Sequence, residues 1–139
     1  MRGAINHIAL TVSNLAEAES AFYAPVLGFL EYEKVEDQAE KMTLWFNRKV
    51  GAAINLWQVD AAHRGGKHVR YSPGFHHLAF SLESREAIDA LYDVLLANAI
   101  RILDNPADYP HYAPGYYAVY FEDGDGMKFE AVHMPVIPD

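Results

Sequence analysis

Residues 6–14, NHIALTVSN, and residues 76–84, HHLAFSLES, repeat one pattern at an offset of 70 positions. In both stretches a histidine begins a run in which apolar residues alternate with small or polar ones. This alternation predicts a β-strand with one buried face. Each run is followed by a residue that can cap a helix, Asn14 in the first stretch and Ser84 in the second. The two stretches therefore predict two copies of one structural module.

The order of predicted elements is also the same after each stretch. The first module reads as a strand at 5–12, a helix from Asn14 to about residues 25–28, and strands near 29–36, 41–48 and 52–59. The second reads as a strand, a helix from Ser84 to about Asn98, and strands near 100–105, 116–122 and 127–133. We expect one α+β domain over residues 1–139, with two βαβββ modules forming a curved sheet around a concave cleft. The modules span about residues 4–59 and 75–134, and a connecting loop spans about residues 60–74.

The composition excludes several kinds of partner. The chain has 11 Lys and Arg residues against 19 Asp and Glu residues, a net charge of −8 that argues against nucleic acid or an anionic membrane as the main partner. It contains no cysteine, so a metal site would use histidine and carboxylate ligands. The N-terminal MRGAINHIAL lacks the apolar core of a signal peptide, and no apolar run reaches the length of a membrane span. These features predict a cytoplasmic protein.

Strand geometry gives neighbouring residues different roles, because adjacent side chains point to opposite faces. Three apolar side chains of the first strand form the face that packs under a helix: Ile8, Leu10 and Val12. His7 and Thr11 lie on the other face. His77 takes the position of His7 in the second copy, whereas His76 falls on the apolar side near the edge of the sheet. We therefore expect His76 to be structural, and its loss to leave a metal site intact.

The last strands of the two modules align at an offset of 75 positions, GAAINLWQ on GMKFEAVH, which pairs Asn55 with Glu130. By the alternation rule Glu130 lies on the concave face with His7 and His77. A lone histidine in a strand is more often structural. Here, however, two repeat-equivalent histidines and a carboxylate share one face. Such a set predicts a site for Fe, Mn, Ni, Co or Zn that leaves positions open for substrate.

The doubled module, the motifs NHIALTV and HHLAFSL, and FEDGDGMKFE before the last candidate ligand resemble the vicinal oxygen chelate superfamily. This group contains glyoxalase I, extradiol dioxygenases, fosfomycin-resistance proteins, methylmalonyl-CoA epimerase and bleomycin-binding proteins. The resemblance covers about residues 4–134. It implies a divalent metal bound in the concavity by His7, His77 and Glu130, and a small-molecule substrate that coordinates through adjacent oxygens.

One position departs from the glyoxalase pattern. Glyoxalase I-like enzymes and the epimerases usually supply a fourth ligand, Glu or Gln, where this sequence has Asn55. Asparagine is shorter and neutral, so it coordinates weakly, through water, or not at all. A three-ligand site instead resembles the dioxygenases and the fosfomycin-type transferases.

Other residues are candidates for the substrate pocket. Tyr120 falls near the position of a substrate-contacting tyrosine in extradiol dioxygenases, and His111 lies in the preceding loop, where a second acid–base residue would act. Both are predicted as catalytic, against the alternatives of aromatic packing and an exposed loop histidine. Four further residues are assigned to the pocket: Asn55, Trp57, Thr11 and Tyr116.

The resemblance leaves two classes of function open. The first is a metal-dependent enzyme in which the ion acts as a Lewis acid on a substrate with vicinal oxygens. The second is a non-catalytic binding or sequestering protein of the bleomycin-resistance kind. Retention of both histidines and the glutamate favours the first class. Family members often pair, so we expect a homodimer.

The connecting loop adds a further possibility. It carries Arg64, Lys67 and Arg70 in an otherwise acidic chain. These cations would attract an anionic substrate or belong to a lid, although a charged loop is usually just solvated.

Overall fold

The computed structural model describes residues 2–135 of the chain. The chain divides between Gly66 and Lys67 into two compact units, each built on its own four-stranded sheet. The strand order is the same in both sheets, with the first strand of the unit paired to the last. This arrangement confirms the predicted α+β fold of two modules.

The first unit contains four strands and a helical segment. The strands are β1 (His7–Val12), β2 (Glu33–Gln38), β3 (Met42–Asn47) and β4 (Ala52–Gln58). Between β1 and β2 lie α1 (Leu15–Ala18), a π-helical stretch (Glu19–Tyr23) and α2 (Ala24–Phe29), and a 3₁₀ turn (Ala61–His63) follows β4. The sheet order is β1-β4-β3-β2, in which β1 and β4 are parallel and the other pairs antiparallel.

The helical segment begins where the sequence predicted. The Asn14 side-chain oxygen accepts a hydrogen bond from the Glu17 N–H at 3.0 Å, which caps α1. In the π-helical stretch the Ala24 N–H donates to the Glu19 carbonyl, five residues back. Pro25 follows in the first turn of α2, where its missing N–H is tolerated.

Glu19, at the start of the π-helical stretch, joins the helical segment to the sheet. Its Oε2 accepts hydrogen bonds from the Thr43 hydroxyl at 3.0 Å and from the Trp45 indole N–H at 2.8 Å. Lys34 also contacts its Oε1, at 3.3 Å. Because Thr43 and Trp45 are buried on β3, this carboxylate satisfies two donors on buried side chains.

Replacing Glu19 with alanine is expected to lower the free energy of unfolding by about 2–4 kcal/mol, because two buried donors lose their acceptor. Urea denaturation measures the change. Glu17→Ala, an exposed acidic residue of the same segment, is the matched control and should stay within about 0.5 kcal/mol of the wild type. Equal losses in both variants would show that Thr43 and Trp45 do not depend on Glu19.

The second unit repeats the arrangement. Its elements are β5 (His77–Ser81), α3 (Arg85–Ala97), β6 (Arg101–Asp108), β7 (Tyr117–Glu122) and β8 (Lys128–His133). The sheet order is β5-β8-β7-β6, with β5 and β8 parallel. Ser84 caps α3, since its Oγ accepts from the Ala87 N–H at 3.0 Å. The predicted start and end of this helix are therefore confirmed to within a residue.

The strand register is the same in the two units. In the first, Ala9 of β1 lies opposite Asn55 of β4. In the second, Ala79 of β5 lies opposite Glu130 of β8. Residue pairs in the two sheets are therefore equivalent at the predicted offsets of 70 and 75 positions. Asn55 occupies the same position in the first sheet as Glu130 in the second.

One face of each sheet packs against the helices. In β1, Leu10 and Val12 are buried while His7, Ala9 and Thr11 are exposed, as the alternation predicted. In the second unit Phe129 is 1% exposed, and three α3 side chains are fully buried: Ile88, Leu91 and Leu95. Within residues 2–135 the helices are too short or too polar to cross a membrane.

The tight turn between β7 and β8 is held by a side chain. Asp123 Oδ1 accepts hydrogen bonds from the backbone N–H groups of Asp125 at 3.0 Å and Met127 at 2.8 Å. Gly126 adopts φ +82°, a conformation that L side chains rarely take. This turn fixes where β8 begins, and so which of its residues face away from the helices.

Candidate metal and substrate site

The side chain of Glu130 is the centre of the candidate site. Glu130 lies in the middle of β8 and is only 2% exposed. Its Oε1 accepts hydrogen bonds from the hydroxyls of Tyr116 and Tyr120, the latter at 3.1 Å. Its Oε2 lies 3.2 Å from His77 Nε2. The structure thus places four of the predicted site residues, from β5, β7, β8 and the loop before β7, in one group.

Strand register explains this grouping. Tyr120 of β7 lies directly opposite Glu130, and His77 of β5 lies opposite Lys128, two residues before Glu130 and on the same face of the sheet. Tyr116 precedes β7 and reaches the same carboxylate. The three partners therefore approach Glu130 from both neighbouring strands.

The two phenols stay protonated in this setting. Burial, together with the hydrogen bond to Glu130, raises the pKa of Tyr116 well above its usual value. Burial, followed by the negative charge of Glu130, raises the pKa of Tyr120 in the same direction. Both hydroxyls therefore act as hydrogen-bond donors to the carboxylate, and neither is a ready base.

His76 differs from the prediction. The strand β5 begins at His77, so His76 lies before it, exposed, and does not join the apolar face. Its Nδ1 is 2.7 Å from His77 Nδ1, and the two rings meet edge to face with centroids 4.9 Å apart. Partial desolvation and the neighbouring cationic groups, His77 first, lower the pKa of His76. The alternation rule failed at this residue because it applies only within a strand.

His7 and its neighbours lie in the first unit. His7 is exposed at the start of β1, and its Nδ1 is 2.7 Å from the side-chain oxygen of Asn6. Thr11, Asn55 and Trp57 share its face of the sheet, because Ala53, Asn55 and Trp57 pair with His7, Ala9 and Thr11. Trp57 is 37% exposed and Asn55 is partly buried.

His111 lies in an aromatic loop beside the carboxylate. Its ring centroid is 4.2 Å from that of Tyr112 and 6.2 Å from that of Tyr109. Tyr109 stacks on Tyr112 at 5.5 Å and contacts Tyr120 edge to face at 5.6 Å. His111 is therefore connected to Tyr120 through Tyr109, and it is exposed, whereas Tyr120 is buried.

Sequence reasoning did not assign a role to Tyr109, Tyr112 or Lys128. The Lys128 ammonium lies 4.6 Å from the centre of the Tyr120 ring and brings a positive charge to the face that carries Glu130. A signal for Lys128 was present, because it lies two residues before Glu130. The tyrosine loop gave no such signal, since the position of a loop side chain does not follow from periodicity.

The cations of the connecting loop in the second unit are held by partners of the same unit. Arg70 pairs with Glu122 at 2.9 Å, and the Lys67 ammonium donates to the Gly124 carbonyl. The His68 N–H donates to the Asp125 carbonyl at 2.8 Å. These contacts attach residues 67–70 to β7 and to the turn between β7 and β8.

The donors around Glu130 suit a divalent ion. Two ligands that each lie about 2.1 Å from one ion are about 3.0–3.4 Å apart for octahedral to tetrahedral angles. The distance of 3.2 Å between His77 Nε2 and Glu130 Oε2 falls in this range. No group of three or more His, Asp or Glu side chains is arranged to hold a metal among residues 2–135. The spacing of His77 Nε2 and Glu130 Oε2 therefore matches that of two donors to one ion.

Comparison with known proteins gives the family. The model of the Glyoxalase/Bleomycin resistance protein/Dioxygenase superfamily matches residues 4–131. The Bacillus subtilis protein named "Uncharacterized protein YqjT" is 30% identical over 128 residues, which cover 92% of this chain and 97% of that protein.

Solved structures show the same fold. A Bacillus halodurans protein described as a "putative glyoxalase" is 27% identical, covers 95% of this chain and 96% of its own, and has a TM-score of 0.79. A fosfomycin resistance protein from Listeria monocytogenes is 20% identical with a TM-score of 0.70, covering 98% of this chain and 97% of its own. The repeated sheets, the family match and these relatives together establish that the chain belongs to the Glyoxalase/Bleomycin resistance protein/Dioxygenase superfamily.

Proposed function

We propose that the protein is a divalent-metal-dependent enzyme that acts on a small substrate with adjacent oxygen atoms. His77 and Glu130 serve as ligands in the second unit, and His7, the repeat equivalent of His77, is the third. Enzymes such as lactoylglutathione lyase occur in this superfamily, and its members commonly use divalent metals.

One observation carries the proposal, namely the approach of His77 Nε2 to Glu130 Oε2 at 3.2 Å. A carboxylate oxygen and the lone pair of a neutral imidazole nitrogen repel each other at this distance. A proton or a metal ion between them removes the repulsion. Because Glu130 is 2% exposed, water does little to screen its charge, and the gain from a cation at this position is large.

When bound, a divalent ion supplies Lewis acidity toward the oxygens of the substrate. The protein side chains around the ion would hold and orient its carboxylate ligand, Glu130. Tyr116 and Tyr120 donate to Glu130 Oε1 and fix the direction of its second oxygen. His111 is the proposed proton carrier, and Tyr120 is proposed to act as a hydrogen-bond donor. His111 suits exchange with solvent because it is exposed, and Tyr120 lies within contact of His77, with ring centroids 6.3 Å apart.

The remaining pocket residues are proposed to contact the substrate. Tyr116 lies in the second unit beside the carboxylate, while Thr11, Asn55 and Trp57 share the face of His7 in the first. The partly exposed indole of Trp57 offers an apolar surface.

Metal analysis of the purified protein tests the proposal. We expect stoichiometric binding of a divalent ion by the wild type, followed by turnover in a screen of compounds with vicinal oxygens, carried out with Fe(II) protected from air and with Mn, Co, Ni and Zn in parallel. A protein that binds compounds from the screen with no ion and no turnover would instead be a sequestering protein.

Asn55 provides a prediction about the fourth ligand position. It occupies in the first sheet the place that Glu130 has in the second. Asn55→Ala should change metal affinity by less than about threefold, because a neutral amide contributes little as a ligand, whereas Asn55→Glu should tighten binding by adding a charged donor. Competition with a chelator measures both. If Asn55→Ala lost the ion as completely as His77→Ala, Asn55 would be a full ligand.

Assembly gives another prediction. Family members often form dimers, and all six residues of the edge strand β2 are exposed, which leaves one sheet edge available for pairing. We expect a homodimer with an isologous interface. Sedimentation at micromolar concentration measures the mass, and a monomeric mass would contradict this expectation.

A further inference from the structure

Each of the two candidate histidines makes a hydrogen bond through Nδ1 with the residue just before it. His77 Nδ1 lies 2.7 Å from His76 Nδ1, and His7 Nδ1 lies 2.7 Å from Asn6 Oδ1. Asn6 and His76 are themselves repeat equivalents, at the same offset of 70 positions as the histidines. The contact is therefore made twice in the chain, by two different kinds of side chain.

The contact in the first unit shows which atom carries the proton. An amide oxygen only accepts hydrogen bonds, so the Nδ1 of His7 donates to Asn6. A neutral imidazole carries one proton, and Nε2 of His7 then presents a lone pair. In the second unit, an ion between His77 Nε2 and Glu130 Oε2 would leave the proton of a neutral His77 on Nδ1, which then donates to the lone pair of His76 Nδ1.

The position of His76 makes this contact possible. A residue inside the strand would point to the opposite face from His77. Because β5 begins at His77, the backbone at His76 is free of that constraint, and its ring turns toward its neighbour. Tyr71 also contacts the His76 ring edge to face, with centroids 5.1 Å apart. The His76 ring thus contacts both Tyr71 and His77.

We propose that His76 and Asn6 are positioning residues that accept the Nδ1–H bonds of His77 and His7, and so hold both imidazoles in the tautomer that presents Nε2 to a metal ion. This inference rests on the proposed metal site. Partners of this kind orient ligating histidines and raise their basicity, and their loss typically costs about 10- to 100-fold in metal affinity.

The test uses variants that the repeat itself suggests. His76→Leu and Asn6→Leu remove the acceptor, while His76→Asn gives the second module the residue of the first. Two measurements are made on each variant. The ¹⁵N shifts of the imidazole nitrogens, in Zn²⁺-loaded and in metal-free protein at about pH 8 where an ordinary imidazole is neutral, report the tautomer. Competition with a chelator reports the affinity for Zn²⁺.

We expect the wild type to show Nδ1–H for His7 with and without Zn²⁺. For His77 we expect Nδ1–H in the Zn²⁺-loaded protein, whereas in metal-free protein Nε2–H donates to Glu130. His76→Leu should bind Zn²⁺ about 10- to 100-fold more weakly. Asn6→Leu should weaken binding to a similar extent and yield a mixture of tautomers at His7 in metal-free protein. His76→Asn should restore most of the affinity. Circular dichroism serves as the folding control, and both substituted positions are exposed.

Two outcomes separate the inference from the proposed function. Unchanged tautomers and unchanged Zn²⁺ affinity in both leucine variants would overturn the positioning role. If the wild type bound no Zn²⁺ while Asn6→Leu still shifted the tautomer of His7, the hydrogen-bond assignment at His7 would stand and the metal-dependent function would be wrong.

Discussion

His77→Ala is expected to weaken divalent-metal binding more than the loss of a residue that only hydrogen-bonds to a ligand, such as His76. A loss of the latter kind typically costs about 10- to 100-fold in affinity. His77→Ala removes a donor atom that lies 3.2 Å from the Glu130 carboxylate. The fold should survive, because His77 is exposed at the start of β5 and its loss leaves room for water. Chelator competition measures affinity, and circular dichroism measures folding.

The comparison variants make this result specific. His63 is an exposed histidine of the first unit that bonds to Asp60 at 2.7 Å, so His63→Ala should bind the ion as the wild type does. His76→Ala should fall between His63→Ala and His77→Ala. If His76→Ala lost more affinity than His77→Ala, His76 would be the ligand and the proposed arrangement of the two rings would be reversed.

Phe129→Ala is expected to lower the free energy of unfolding by about 3–5 kcal/mol. Phe129 is 1% exposed and packs among Phe75, Phe80 and Phe121, with ring centroids 6.0 to 6.3 Å apart. Truncation would leave a cavity that these rings cannot fill without moving. Denaturant unfolding measures the loss. Leu96→Ala, at a 53% exposed position of α3, is the control and should cost less than about 1 kcal/mol.

The same variant should also weaken the site. Phe129 precedes Glu130 on β8 and points to the opposite face, so its packing fixes the direction in which the carboxylate leaves the strand. We therefore expect metal affinity to fall in Phe129→Ala although no ligand is changed. Affinity equal to that of the wild type, with the stability loss still present, would show that β8 holds its position without this side chain.

Much of the fold followed from periodicity and from the repeat. The alternation in residues 6–14 gave the buried face of β1, and the alignment of Asn55 with Glu130 gave a register that both sheets share. Capping residues Asn14 and Ser84 gave the helix starts. These features depend on local chemistry, which the sequence carries directly.

The structural features that the sequence did not predict depend on contacts between residues far apart in the sequence. The π-helical stretch begins at Glu19, whose carboxylate bonds to side chains of β3 more than twenty positions away. The start of β5 at His77 is set by its pairing with Lys128, so the sequence alone placed His76 on the wrong face. The hydrogen bond of Tyr116 to Glu130 likewise depends on the path of a loop.

The two tyrosine hydroxyls that donate to one oxygen of Glu130 also affect the ion selectivity of this carboxylate. With Oε1 engaged by Tyr116 and Tyr120, an ion at His77 would meet a carboxylate that offers Oε2 alone. Calcium takes six to eight oxygen ligands and often gains two from one carboxylate. A glutamate restricted to single-oxygen binding, next to an imidazole nitrogen, disfavours so large an ion and suits the smaller transition metals that accept nitrogen.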